Sequence, residues 1–187
     1  MNKVNKVEIP INKSSIASPA APVYLISTIN KDGIRNIAPY GLVMPACHAP
    51  LIYLVGSDKD RDTYRNILET NEFVLNVPST ALLEKVNLAA IKFPADIDEF
   101  EKAEFTPFSA FKVKPSLIAE CKCHFECKVL DIYEINKTRV VIIGDVVSIS
   151  IDQELFIENF AKQKEQLDPL FYVHGSYFGL GRYLGKR

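Results

Sequence analysis

Residues 57–63 combine a hydroxyl, a cation and the expected start of a helix. Ser57 follows an apolar stretch, and Arg61 and Thr63 lie beside the first helical residues. A helix N-terminus presents unpaired N–H groups and the positive end of the helix dipole, which favours an anion. Asp62 is one of three aspartates in the segment, and these would repel a phosphate unless they faced away. The segment therefore indicates either a phosphate-binding site or a solvated, acid-capped helix start.

Residues 35–41 form a second candidate, at the end of an expected strand. Pro39 removes one backbone donor from the strand, and Gly41 allows a ligand to approach the backbone closely. Such a strand end can present N–H and C=O groups to a flat ligand. The same pattern is also typical of a simple edge-strand terminus, and the residue types alone do not decide between the two.

A cluster of cysteines between residues 121 and 127 raises the possibility of a metal site. Cys121, Cys123 and Cys127 alternate with polar residues, as on a strand. Alternate strand residues share a face but lie about 6.5–7 Å apart, whereas the sulfurs of a tetrahedral zinc site must be much closer. His124 would point to the opposite face. We therefore predict three small core residues and no metal.

Three other side chains could carry chemistry but have no assignable partners. Cys47 and His48 lie in an expected loop, where the thiol could be reactive with the imidazole as a nearby base. No Asn or Asp can be assigned to complete a catalytic set. His174 lies in a tail rich in glycine and aromatic residues, but a lone histidine is more often structural. No catalytic side chain is therefore assigned.

The elements that must position these residues come mainly as hairpins. Asp32-Gly33 is a strong hairpin turn, and the alternation in residues 120–129 predicts one buried and one solvated face, with a bulge at Val129-Leu130. Short βαβ repeats are missing, which favours an antiparallel barrel decorated by helices. Strands are expected at residues 23–30, 34–40, 51–56, 73–77, 120–129 and 139–151, and helices at residues 61–71, 80–91 and 153–163.

Length and composition favour one domain, at residues 21–187, preceded by an arm at residues 1–20. The chain has 187 residues and a formal net charge of −1, so it lacks the basic excess that a nucleic-acid surface needs. The charged N-terminus contains no apolar signal-peptide core, and no apolar stretch approaches the ~20 residues of a membrane helix. We expect a cytoplasmic protein with thiol cysteines and no membrane partner.

Several short motifs occur in an order that resembles one known family. Residues 36–40 read N-I-A-P-Y, which resembles an N-x-A-P-aromatic stretch. Residues 61–67 resemble K-D-T-x-R-N-I, with Arg61 in place of Lys, and residues 72–78 resemble E-F-V-x-N-V-P. Weaker matches follow in the linker, in the long strand and in the tail. Together they resemble the flavin reductase-like family, the FMN-binding split barrels that include flavoredoxins, from about residue 22 to residue 177.

The resemblance implies a mainly β fold with helices. This is an FMN-binding split β-barrel, a six-stranded antiparallel Greek-key barrel with inserted short helices, and it assembles as a homodimer. FMN would lie near the dimer interface, with the phosphate held at Ser57, Arg61 and Thr63. The residues implied in cofactor binding are Asn36, Ile37, Ala38, Pro39, Tyr40, Gly41, Ser57, Arg61, Asp62, Thr63, Asn76 and Pro78.

The implied activity is hydride transfer from NADH or NADPH to a bound flavin, FMN or alternatively FAD. The flavin carries the redox chemistry, which explains why no catalytic triad is found. Arg35, or backbone N–H groups near Tyr40, could stabilise the reduced flavin, and His174 could alter the entrance above the ring. One alternative is a flavoredoxin-like FMN electron carrier that serves a redox partner protein without efficient use of a nicotinamide. Another is a barrel that binds a different phosphate-bearing ligand, or a purely structural dimer.

Overall fold

The computed structural model describes residues 6–185, which form mostly antiparallel strands with short helices between them. The strands are β1 (Ala21–Pro22), β2 (Tyr24–Ile29), β3 (Arg35–Tyr40), β4 (Val43–His48), β5 (Leu51–Asp58), β6 (Glu72–Asn76), β7 (Pro107–Phe108), β8 (Leu117–Ile118), β9 (Cys123–Glu134), β10 (Arg139–Ile151), β11 (Phe171–Val173) and β12 (Ser176–Phe178). The helices are α1 (Asp62–Thr70), α2 (Leu83–Ala89), α3 (Glu99–Lys102) and α4 (Phe160–Leu167), with 3-10 turns at Ile11–Ile16, Thr80–Leu82 and Gln153–Leu155.

The largest element is a seven-stranded sheet in the order β3-β2-β6-β9-β10-β5-β4. All its strand pairs are antiparallel, so the predicted antiparallel class with inserted helices is confirmed. The described sheet has one strand more than the six expected. A smaller sheet in the order β1-β11-β12 attaches the C-terminal segment to the start of the domain.

The additional strand, β4, includes residues for which a loop is predicted. Cys47 and His48 lie in β4 and pair with β5, so the predicted loop is wrong at these two positions. The strand is an edge of the sheet, where a proline is tolerated because one side of the backbone needs no partner. A register shift between Pro45 and Cys47 accommodates the irregular pairing.

The long hairpin β9–β10 confirms one prediction and corrects another. Val129 pairs with Gly144 and the next pair begins at Asp131, so Leu130 is the extra residue of the predicted bulge. The predicted solvated face is wrong, because His124 and Glu126 are buried. Residues 105–119 cover this face, and the Glu126 carboxylate accepts the backbone N–H groups at positions 111 (3.0 Å) and 112 (2.6 Å).

The last predicted helix, at residues 153–163, is displaced in the structure. Only a 3-10 turn forms at Gln153–Leu155, and α4 begins after Asn159. The Asn159 side-chain oxygen accepts the Lys162 N–H at 3.0 Å, which is a standard N-cap that fixes the start of the helix. The helix predicted at residues 80–91 forms as a 3-10 turn followed by α2, with Val86 and Ala89 buried.

The cysteines predicted as core residues are confirmed in that role. Cys121, Cys127 and Cys123 lie in three different clusters of buried apolar side chains. Burial raises the pKa of the Cys123 thiol to about 11, so this sulfur is neutral at physiological pH. Among residues 6–185, no group of three potential ligand side chains is placed to hold a metal ion.

The predicted N-terminal arm is exposed wherever the structure describes it. Residues 6–20 are exposed throughout and contain one 3-10 turn, while residues 1–5 lie outside the described range. The division at residue 20 stays a prediction. Within the described part of the chain, no helix is both long enough and apolar enough to cross a membrane.

Candidate functional site

Three adjoining cavities open along the end of strand β3. The first, of about 130 Å³, lies between β3, the start of α1 and the end of α2. The second, of about 160 Å³, extends from β3 towards the end of β5. The third, of about 200 Å³, lies between β3 and the C-terminal hairpin. Pro39 lines all three cavities, which makes the end of β3 their common wall.

Strand β3 can serve as a wall because it is an edge of the sheet. Its partner on one side is β2, with Pro39 opposite Leu25. The other side has no strand partner among the described residues, so its backbone groups must find other partners. One of them, the Ile37 N–H, donates to the Glu99 carboxylate at 2.9 Å. Sequence and fold therefore present a proline-interrupted edge to a ligand.

The start of α1 brings Arg61 and Thr63 to the first cavity. Arg61 is the N-cap residue, and no side chain caps the helix, so the first backbone N–H groups remain available to an anion. Arg61 lines the second cavity as well, and burial raises the pKa values of both Tyr40 and Glu99 while the Arg61 charge opposes this rise. The guanidinium therefore lies at the junction of the first two cavities.

The three aspartates around Arg61 each lie within ion-pair distance of another cation. The pairs are Asp58 with Arg139 (3.2 Å), Asp60 with Lys92 (3.9 Å) and Asp62 with Arg65. Arg61 itself makes no ion pair within residues 6–185. These pairs reduce the repulsion that made the segment ambiguous, and Arg61 is the cavity-lining cation without an ion-pair partner among the described residues.

Hydroxyl groups line the same region. The Tyr40 hydroxyl and Ser57 Oγ lie 2.9 Å apart, and both residues line the second cavity. Burial raises the pKa of Tyr40, which keeps its hydroxyl protonated and able to donate. Thr63 is buried in the first cavity wall, and the Asn36 amide reaches its oxygen at 3.5 Å. These groups can bind the polar parts of a ligand.

Glu99 is a site residue for which the sequence motifs predict no role. It lines the first cavity, and its side chain is only 8% exposed. Burial raises its pKa from an ordinary 4.5 to about 7, with further contributions from Asp62 and Asp98, while the Ile37 N–H and Arg61 oppose the shift. The acidic pair Asp98-Glu99 can be seen in the sequence. Its contact with β3 could not be predicted, because Glu99 and Ile37 are about sixty positions apart in the chain.

The third cavity has aromatic walls that the site prediction also missed. Tyr172 and Tyr177 line it, and their ring centroids are 5.1 Å apart. The hairpin of β11 and β12 pairs with β1 and shares this cavity with the end of β3. A Cβ atom at Gly41 would lie 3.9 Å from the Tyr172 ring, in ordinary van der Waals contact, so Gly41 and Tyr172 are close neighbours in the slot. The sequence feature that could have predicted this wall is the presence of Tyr172 and Tyr177 in the C-terminal tail.

The structure thus brings together most of the predicted cofactor residues. The cavities are lined by Asn36, Ala38, Pro39, Tyr40, Gly41, Ser57, Arg61, Asp62 and Thr63. None of the three cavities is lined by the other predicted residues, Ile37, Asn76, Pro78, Arg35 and His174.

Four of these other residues have different surroundings. The Ile37 side chain is in the core, although its N–H faces Glu99. Asn76 is fully buried, and its amide oxygen accepts the Ile118 N–H at 3.0 Å while its nitrogen donates to Leu25 O at 2.9 Å. Pro78 is also buried. His174 is exposed in the turn between β11 and β12, with a positive φ of 42°.

Arg35 is held away from the three cavities by an ion pair. Its Nε donates to Asp98 at 2.7 Å, and its guanidinium lies 5.4 Å from the centroid of the Phe100 ring. The arginine thereby ties β3 to the start of α3, and Asp98 also caps α3 by accepting the Phe100 N–H at 3.0 Å. This arrangement accounts for Arg35 as a positioning group for β3.

Two sequence relatives match most of the chain. An uncharacterized protein from Methanothermobacter thermautotrophicus is 39% identical over 156 residues, covering 81% of this chain and 74% of that protein. An uncharacterized protein from Aquifex aeolicus is 34% identical over 165 residues, covering 84% of this chain and 82% of the relative.

Solved structures share the fold at lower identity. Nitrilotriacetate monooxygenase component B from Bacillus cereus matches with a TM-score of 0.89 at 21% identity, covering 97% of this chain and 99% of that one. Flavoredoxin from Methanosarcina acetivorans matches with a TM-score of 0.82 at 24% identity, covering 98% of this chain and 95% of that one.

The family follows from the sequence as well as from the fold. The model of the flavin reductase like domain matches residues 16–181, which includes β3, α1 and the C-terminal hairpin that enclose the cavities. The split-barrel fold expected from the short motifs is confirmed by the sheet and by the solved neighbours. The chain belongs to the flavin reductase-like domain family.

Proposed function

We propose that the protein is an FMN-binding oxidoreductase of the NAD(P)H-dependent flavin reductase type. The observation that carries this proposal is the Arg61 guanidinium, without an ion-pair partner in the described residues, at the junction of two cavities and beside an uncapped helix start. An anion is the complement of this arrangement. The aromatic third cavity adjoins it, so an anionic group and a flat ring system can be bound by one continuous surface.

The chemical types and the positions of the cavity residues fit a flavin mononucleotide. Arg61, Thr63 and the first N–H groups of α1 would hold the phosphate, and the Tyr40 and Ser57 hydroxyls would bind polar atoms nearby. When bound, the flavin supplies the hydride-accepting chemistry. The side chains bind and orient it, and the two C-terminal tyrosines exclude water from the slot.

The electron donor and the assembly belong to the same proposal. A nicotinamide, NADH or NADPH, would deliver the hydride, and FMN is favoured over FAD because the described cavities are small. A cytoplasmic homodimer is expected from the resemblance. Leu42 lines the second cavity and is 65% exposed, and Met44, two residues later in β4, is 57% exposed, which supports an apolar contact there. Light scattering of the purified protein tests the dimer.

The second candidate function is that of a flavoredoxin-like electron carrier, which would need a redox partner protein. The shared fold with a flavoredoxin favours it as much as it favours a reductase. Anaerobic stopped-flow absorbance with NADH and then NADPH separates the two. Fast bleaching of the flavin bands by either donor supports a reductase, whereas bands that persist contradict nicotinamide use and favour the carrier.

The phosphate assignment is tested by FMN titration of three variants. Arg61→Ala should weaken FMN binding at least tenfold, because a charge-assisted hydrogen bond contributes roughly 1.5–3 kcal/mol. Thr63→Ala should weaken it less. Lys162→Ala is the control, since Lys162 is an exposed cation on α4 that lines none of the three cavities. Unchanged FMN affinity in both Arg61→Ala and Thr63→Ala would remove the assignment.

The proposed role of Arg35 towards the reduced flavin has a separate test. The Asp98 ion pair and the Phe100 contact hold its guanidinium, so a purely structural role moves β3 but not the flavin potential. Arg35→Ala should be compared with the wild type by redox titration of the bound flavin. An unchanged midpoint potential would show that Arg35 only positions the strand.

A further inference from the structure

A fourth cavity, of about 340 Å³, shares no lining residue with the three cavities at β3. Its walls are mostly apolar and come from the covering residues 105–119 and from the β9–β10 hairpin. The lining residues are Phe108, Phe111, Leu117, Ala119, His124, Ser150, Ile151 and Asp152. This size falls at the lower end of the range of small-molecule sites, which are typically apolar with a few convergent polar groups.

The first polar group in this cavity is a hydroxyl without a partner. Ser150 Oγ is buried and is the one such side-chain atom in residues 6–185 that makes no hydrogen bond. An unpaired buried polar group costs roughly 1–3 kcal/mol, so proteins rarely keep one unless a bound molecule satisfies it. Ser150 thus marks the position of a missing hydrogen-bond partner inside the cavity.

The second polar group is the His124 imidazole, whose tautomer is determined by its hydrogen bond to Asn76. Asn76 donates through its nitrogen to Leu25 O at 2.9 Å, so its oxygen must be the acceptor for His124 Nδ1 at 2.8 Å. This assigns the ring proton to Nδ1 and leaves Nε2 as an acceptor when the ring is neutral. Burial lowers the pKa of His124, although Asp152, Glu126 and the backbone of Cys121 oppose the shift.

These two groups are presented from adjacent strands. Ser150 and His124 are directly opposite each other in the register of β10 and β9. The Asp152 carboxylate lies among the lining residues two positions further along, where it would repel an anion. The Phe108 and Phe111 side chains complete an aromatic wall. The cavity therefore favours a neutral ring with a polar substituent that both donates and accepts.

We propose that this cavity binds a small neutral aromatic molecule that carries a hydroxyl group. Its O–H would donate to His124 Nε2, and its oxygen would accept from Ser150 Oγ–H, which satisfies both groups at once. The ring would pack against Phe108, Phe111 and Leu117. The site is separate from the flavin cavities and does not depend on the function proposed for them.

The test is saturation-transfer NMR with p-cresol on the purified wild-type protein at pH 7. Toluene, which lacks the hydroxyl, should bind at least fivefold more weakly. Ser150→Ala should weaken p-cresol binding about 5-fold to 10-fold, in line with the loss of one hydrogen bond. The matched control is Ser148→Ala, two residues earlier on the same strand and outside the cavity lining, which should leave p-cresol affinity unchanged. Ala119→Phe fills the cavity and should abolish binding.

Three outcomes overturn the proposal. The first is an absence of saturation transfer to p-cresol, which would mean that water or a second copy of the chain occupies the cavity. The second is equal affinity for toluene and p-cresol, which would refute the hydroxyl-binding role of Ser150 and His124. The third is displacement of p-cresol by excess FMN, which would place the ligand in the flavin cavities. Binding that resists FMN and is lost in Ala119→Phe supports the site.

Discussion

Raising the pH from 5 to 8 should destabilise the flavin-free protein through one buried carboxyl group, that of Glu99. Burial beside Asp62 and Asp98 raises its pKa from 4.5 to about 7 in the folded chain. Between these two values the folded state holds a proton that the unfolded state has released. The stabilising contribution of this proton is fully present below pH 4.5 and is lost as the pH rises through 7.

The size of the effect follows from the same two pKa values. The full shift corresponds to about 3 kcal/mol of stability, and about 2.5 kcal/mol of it disappears between pH 5 and pH 8. Glu99 is 8% exposed, so solvent screening removes little of this contribution. A loss of this size is a large fraction of the stability of a typical domain.

This loss is measured by urea unfolding at pH 5, 6, 7 and 8, comparing the free energy of unfolding of the flavin-free wild type with that of Glu99→Gln. The glutamine keeps an oxygen that can accept the Ile37 N–H but cannot ionise, so its stability should fall by about 2.5 kcal/mol less over this range. Glu101→Gln, an exposed position on the same helix, is the matched control and should follow the wild type. Parallel pH profiles for the wild type and Glu99→Gln would refute the raised pKa.

The remaining predictions concern packing, the buried amide network and ligand coupling. Gly144→Ala should lower the free energy of unfolding by about 1–3 kcal/mol, because its Cβ would lie 2.5 Å from the Phe73 ring, whereas Gly181→Ala should have little effect. Asn76→Ala should cost about 3 kcal/mol by urea unfolding, since it leaves buried donors and acceptors unpaired. FMN affinity, measured by fluorescence quenching, should fall more steeply above pH 7 in the wild type than in Glu99→Gln. Equal slopes would contradict a carboxylate beside the bound phosphate.

The parts of the site that the sequence predicts are those that depend on local geometry. Arg61 and Thr63 lie within one turn of a helix start, so a few residues of pattern determine where they point. Pro39 is predictable for the same reason, because it removes a backbone donor from the strand in which it lies. The bulge at Leu130 was also visible, because a slip in alternation is a property of one strand. These features need no knowledge of which strands are neighbours.

Features that depend on sheet order could not be predicted. Asn76 and His124 form a hydrogen bond because β6 lies beside β9. The residue pattern within a single strand does not specify which strand will be its neighbour. The alternation at residues 120–129 predicted a solvated face because Glu126 is charged. The structure covers that face with residues 105–119, whose backbone N–H groups compensate the charge. In the sequence, a buried carboxylate such as Glu126, which accepts backbone N–H groups of a covering segment, cannot be told apart from a surface residue.

The aspartates around Arg61 show why charge patterns are especially ambiguous in a sequence. A phosphate site and a solvated helix start differ in whether those acids are already paired. Only the pairing of Asp62 with Arg65 follows from helical spacing. Those of Asp58 with Arg139 and Asp60 with Lys92 depend on the β5–β10 pairing and on the end of α2. The anion-binding character of the segment is therefore a property of the fold, because cations distant in sequence pair with two of the acids and leave Arg61 without an ion-pair partner in the described residues.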